Sequence, residues 1–100
     1  EDDLNNVSVV PNPYIVFSDF DKMAGDNTIR FTRLPKKCTI EIYTISGELV
    51  KRLYHDERFD GNQVWNLKNS SGQEVAPGLY IYVVETDDGN KKIDKFAIIR

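Results

Sequence analysis

The stretch Pro77-Gly78-Leu79-Tyr80-Ile81-Tyr82-Val83-Val84-Glu85-Thr86-Asp87-Asp88-Gly89-Asn90-Lys91-Lys92-Ile93-Asp94-Lys95-Phe96-Ala97-Ile98-Ile99 decides the fold class. Its two runs are rich in Val, Ile, Tyr and Phe, which fit a pleated, half-buried surface, and the Asp-Asp-Gly-Asn between them has the turn chemistry of a hairpin. Strands are expected over 79–86 and 92–99. Pro77-Gly78 separates them from what precedes, since proline donates no backbone hydrogen bond and glycine reaches conformations closed to other residues. Helical spacing of apolar residues is hard to find here or elsewhere in the chain.

Working outward, a strand is expected over 63–67 with Trp65 as a core anchor, closed off by the polar turn 69–73. The run 38–45 places Cys38, Ile40 and Ile42 on one face and Tyr43 and Ile45 on the other, so both faces read as at least partly covered. Ser46-Gly47-Glu48 is a tight connection in which Gly47 supplies a positive φ, returning the chain as a strand over 49–54. Residues 55–62 are charged and read as a loop that contains His55. Thr28, Arg30 and Thr32 alternate with Ile29 and Phe31 in a further strand. Near the start, 7–10 reads as an edge strand halted by Pro11-Asn12-Pro13, with a short strand over 14–17 and a polar surface loop over 18–26. About seven strands with short turns and two longer crossings describe an all-β, immunoglobulin-like (Greek-key) β-sandwich. Residues 1–6 read as a linker from a parent protein and 7–100 as one domain.

The composition agrees with a folded module. The chain has 100 residues, 40% apolar and 29% charged, which is enough to build one core. With a net charge of −3 and lysines scattered in pairs, no basic stripe is available for a phosphate backbone, which argues against nucleic acid. Cys38 is the only cysteine, so an intramolecular disulfide and a four-thiolate zinc site are excluded. The longest apolar run, 79–84, is far shorter than the roughly 20 residues of a spanning helix. The Glu1-Asp2-Asp3 start, with no initiator methionine, reads as a fragment or a processed chain.

Catalytic chemistry finds little support. His55, the one histidine, is flanked by Asp56, Glu57 and Arg58 and has no activated Ser or Cys beside it, so no enzymatic activity is expected. Residues 19–26 superficially resemble a calcium loop. They place Met23 where an oxygen ligand belongs, set the glycine one position late and lack the closing glutamate. The glycines are isolated and form no phosphate cradle, and nothing calls for a cofactor. Tyr80 and Tyr82 share a face, which suits either a sugar-stacking platform or the core. Tyr80, just past Pro77-Gly78, is also where a sandwich tyrosine hydrogen-bonds back to the preceding corner.

Three groups of residues carry a family resemblance: Val9-Val10-Pro11-Asn12-Pro13-Tyr14; Ile40 through Val50, with its Tyr43 and Gly47; and Trp65 followed by Ser71-Gly72-Gln73-Glu74-Val75-Ala76-Pro77-Gly78-Leu79-Tyr80. In that order they resemble type A C-terminal sorting domains of the type IX secretion system, and the related immunoglobulin-like domain of the flagellar hook-capping protein. The resemblance runs over about nine-tenths of the chain. Its motif positions are Pro11, Asn12, Pro13, Tyr43, Gly47, Trp65, Gly72, Pro77, Gly78 and Tyr80. The Lys-rich, apolar final strand favours the sorting branch. Trp65-Asn66-Leu67, where hook-cap relatives usually read Trp-Asp-Gly, is a departure from the other.

The resemblance implies a non-catalytic label. Such a module directs a parent enzyme or adhesin across the outer membrane, where a sortase-like peptidase removes it and joins the product to surface lipopolysaccharide. The implied partners are secretion or cell-surface machinery and the parent's upstream domains, and the implied location is the outer membrane surface or the extracellular space. Pairing of an unpaired final strand with that machinery is one expected mode of recognition. A structural spacer and a carbohydrate-binding accessory module with glycan contact are the alternatives.

Overall fold

Eight strands in two sheets make up the computed structural model, which describes residues 4–15 and 28–99. The strands are β1 (Ser8–Val10), β2 (Tyr14–Ile15), β3 (Ile29–Thr32), β4 (Lys37–Thr44), β5 (Leu49–Asp56), β6 (Gln63–Trp65), β7 (Gly78–Thr86) and β8 (Lys91–Ile99). The smaller sheet runs β1-β3-β6 and the larger β2-β8-β7-β4-β5. Antiparallel pairing holds throughout except between β2 and β8, which run parallel. This is the expected all-β sandwich of immunoglobulin type. The expected surface loop over 18–26, and residues 16–17 of the expected strand over 14–17, lie outside the described residues.

Alternation explains which side chains the two sheets share. On β4, Cys38, Ile40 and Ile42 point inward, and on β7 Tyr80, Tyr82, Val84 and Thr86 do the same, all of them buried. Phe31 from the smaller sheet meets Tyr82 edge-on at 5.3 Å between ring centroids and Phe96 at 6.4 Å. Trp65 contacts Phe96 at 6.2 Å, and Tyr80 stacks on Phe96 at 5.7 Å. Such offset and edge-to-face pairs add to plain area burial, so this cluster is the main bond between the layers. Trp65, 1% exposed, satisfies its indole by donating Nε1–H to the Lys68 carbonyl at 3.0 Å.

Two expectations need correction, and the burial decides one alternative that the sequence left open. The folded body starts at least as early as Leu4, since the 3-10 turn Leu4–Asn6 sets Leu4 into the core, so 4–6 are not linker. His55 is not in a solvated loop: β5 continues to Asp56, and the alternation that turns Leu53 inward also turns His55 inward, leaving it 3% exposed. Its Nδ1 shares a 3.1 Å hydrogen bond with Gln63 Oε1. Tyr80 and Tyr82 face the core and form no sugar platform; Tyr80 instead donates its hydroxyl to the Ala76 carbonyl, the corner bond expected of it. The outer face of 38–45 is covered in part, as expected: Tyr43 is half-buried, while Ile45, just past the end of β4, is 60% exposed.

Candidate functional site: the Pro-Asn-Pro clamp on the final strand

Six of the ten motif residues build the scaffold. Gly47 (φ +94°) and Gly72 (φ +84°) take turn conformations that L side chains rarely adopt. Gly47 donates to the Thr44 carbonyl at 2.9 Å, and Gly72 to the Asn69 carbonyl at 3.0 Å. Asn69 Oδ1 fastens the second turn further by accepting from the Ser71 and Gln73 amides. Pro77 and Gly78 lead into β7, while Trp65 and Tyr80 lie in the core. Tyr43 stands apart on the outer face of β4. It donates its hydroxyl to Glu41 Oε1 at 2.7 Å, and Arg52 holds Glu41 Oε2 from the neighbouring strand at 2.7 Å. The Tyr43 hydrogen bond, seconded by Arg52, keeps the Glu41 carboxyl below its ordinary range.

Pro11, Asn12 and Pro13 carry the chain from one sheet to the other and are exposed. The register that follows is Tyr14 beside Ile98 and Ile15 beside Ile99. Two places earlier in that register, Asn12 falls opposite Phe96. A residue of a parallel strand bonds to the residues flanking its partner, here Lys95 and Ala97. The prolines offer no amide hydrogen, and the Asn12 side chain supplies the pairing instead. Its Nδ2 donates to the Lys95 carbonyl at 3.4 Å and its Oδ1 accepts from the Ala97 amide at 3.3 Å. The carboxamide thus stands in for a backbone peptide and extends the short β2 ladder.

Two further contacts complete the clamp. Asp94 Oδ1 accepts the Lys95 amide at 2.8 Å, and Lys92 Nζ donates to the Val7 carbonyl at 2.7 Å, joining β8 to the approach of β1. The expected unpaired rim along 92–99 is therefore corrected: from Lys95 onward β8 is covered, and only the outward backbone groups around Lys91 and Ile93 stay open among the described residues. Reading the sequence missed Lys92, Lys95 and Ala97 because their partners lie 83 to 85 residues away, whereas the Asp94 contact, to the adjacent Lys95 amide, is local. Replacing Asn12 by Ala should cost about 1 kcal/mol, two partly solvated hydrogen bonds at the lower end of their usual worth. Hydrogen exchange should show the Ala97 amide losing protection while Val84 keeps its own; equal protection of Ala97 in both proteins would remove Asn12 from the clamp.

The departure at Trp65-Asn66-Leu67 has a structural counterpart. Leu67 sits at φ +63°, a left-handed conformation that suits glycine and costs a branched-chain residue roughly 1–2 kcal/mol. Its side chain is buried at 5% exposure in the core cluster, which offsets that strain.

No family model matches the chain, and no curated protein does. Among solved structures it is similar to PorZ of Porphyromonas gingivalis, an essential bacterial surface component of the type IX secretion system, with a TM-score of 0.76 and 24% identity over 97% of this chain. It is also similar to PorU of the same organism, solved as a latent dimer, with a TM-score of 0.60 and 20% identity over 93% of this chain. The chain spans only 12% and 9% of those two proteins. FlgD of Pseudomonas aeruginosa overlaps 62% of the chain at a TM-score of 0.46 and 24% identity. At these identities the likeness is one of fold.

Proposed function

We propose that this chain is a non-catalytic module of a larger exported bacterial protein and serves secretion or surface attachment through a type IX system, as a C-terminal sorting domain does. The observation that carries this reading is the overlap with PorZ along nearly the whole chain, since PorZ is itself a surface component of that system. The sequence motifs agree with it, and the Asn12 clamp gives the Pro-Asn-Pro element a physical role, locking the final strand against the body that the export machinery would handle. The one histidine, His55, is buried at 3% exposure, which leaves it poorly placed to meet a substrate.

The reading is tested by fusing residues 1–100 to the C-terminus of a periplasmic reporter in a bacterium with a working type IX system, then following location and mass. The expected result is a reporter at the cell surface or in the medium, shortened by the mass of the module. A full-length reporter held in the periplasm would overturn the sorting role and leave a structural part within a larger surface component.

A further inference from the structure

The two margins of the larger sheet are finished differently. β8 is clamped by the Pro11–Pro13 segment, whereas β5 forms the other margin, with no strand beyond it among the described residues. The direction of its backbone groups follows from one bond. Glu57 donates its amide to the Lys36 carbonyl and so faces β4, and by alternation Asp56, Tyr54 and Arg52 turn their amides and carbonyls away from the sheet. At the other end the Val50 carbonyl also points outward, where Ser70 bonds it through its amide at 3.2 Å and its hydroxyl at 3.3 Å.

Natural edge strands carry devices against unwanted pairing: bulges, inward-pointing charges and covering loops. β5 concentrates all three at its start. Its register shifts opposite Ile42 and Tyr43, Lys51 lies on the inward side, and Ser70 covers Val50. The stretch 52–56 has none of them among the described residues. Its three outward residues form one open ladder, bounded by the Ser70 contact and by the departure of the chain at Glu57.

We propose that two copies of this chain associate by antiparallel pairing of β5 with β5 about a two-fold axis at Tyr54. That register sets Tyr54 opposite Tyr54, and Arg52 of each copy opposite Asp56 of the other. All three pairs are then of the hydrogen-bonded kind, because all the residues involved turn their backbone groups outward. The side chains match as well. Arg52, Tyr54 and Asp56 share the outer face, so two Arg–Asp pairs flank a pair of tyrosine rings, and cross-strand pairs of both kinds stabilise sheets. Tyr54 is 73% exposed in the single chain and gains most from being covered. Arg52 keeps donors to spare even with Glu41 on its Nε and Nη2 and the Tyr54 hydroxyl beside it, since a guanidinium carries five. Asp56 is exposed and has no hydrogen bond or ion pair among the described residues. Isologous pairing of this kind closes on itself and ends at a dimer.

So short a ladder belongs with small, transient interfaces. Sedimentation velocity of the 1–100 chain from about 10 µM to about 1 mM should show a dimer growing with concentration, weakened by salt. Asp56→Lys sets like charges opposite each other and should raise the dissociation constant at least about tenfold while leaving the thermal midpoint unchanged. In the Tyr54→Cys variant the two thiols face each other across the axis, within the ~5.5 Å Cα spacing a disulfide accepts. It should oxidise to a linked dimer well ahead of a Ser71→Cys control. A chain that stays monomeric throughout, with Tyr54→Cys no faster than the control, overturns the proposal, as does a dimer that Asp56→Lys leaves intact.

Discussion

Phe96→Ala is expected to destabilise the domain by about 3–5 kcal/mol, the usual cost of emptying a large aromatic site. Phe96 lies on β8, 2% exposed, with Trp65, Tyr80, Tyr82 and Phe31 all within 6.4 Å between ring centroids. Two of these rings come from the smaller sheet and two from β7, so the substitution opens a void where the layers meet. Domains of this size hold only about 5–15 kcal/mol in total, and a marginal one would be left largely unfolded. Urea denaturation followed by the fluorescence of Trp65, the only tryptophan, reports directly on the site. Phe59→Ala is the control. Phe59 is 91% exposed, and its loss should move stability by less than about 0.5 kcal/mol. If both variants shifted the midpoint alike, the ring cluster would not be what joins the sheets.

The contrast between these phenylalanines shows what could be read from the chain. Phe96 shares an inward face with Ile98 in a strand whose partner, turn and alternation are all local, so its burial follows from the hairpin. The same logic locates Ile40 and Ile42 opposite Val84 and Tyr82, and Tyr80 at its corner. His55 escapes it because three charged neighbours mask the alternation begun by Leu53; counting from Leu53 rather than weighing composition turns it inward. The clamp is out of reach for a different reason. Asn12 is bound by Lys95 and Ala97, and nothing near Asn12 announces that the fold will bring β8 beside it in parallel. The motif marks the right residues there without disclosing what they do. Sheet order likewise decides that β8 is half covered and β5 half open, and sheet order is a property of the whole chain.

Raising the pH from 10 to 12 should unfold the domain progressively, with Tyr82 as the main cause. Burial, reinforced by the neighbouring Asp94 carboxylate, pushes the Tyr82 phenol from its ordinary 10 up to about 12. Below pH 10 the phenol is protonated in both the folded and the unfolded chain, and the stability it confers is fully present. Between 10 and 12 the unfolded chain releases the proton while the folded chain holds it, so stability drains away with rising pH and is lost once the folded phenol itself ionises. Two pH units on a ring that is 2% exposed correspond to at most about 3 kcal/mol. Tyr80, raised by its own burial, acts in the same direction. Urea midpoints measured from pH 8 to 12 should therefore be flat to about 10 and then fall. Tyr82→Phe keeps the ring contacts with Phe31 and Phe96 but has no proton to lose, so its curve should fall less steeply over the same interval. A variant curve parallel to that of the native chain would place the alkaline sensitivity elsewhere, with Tyr80 the next residue to replace.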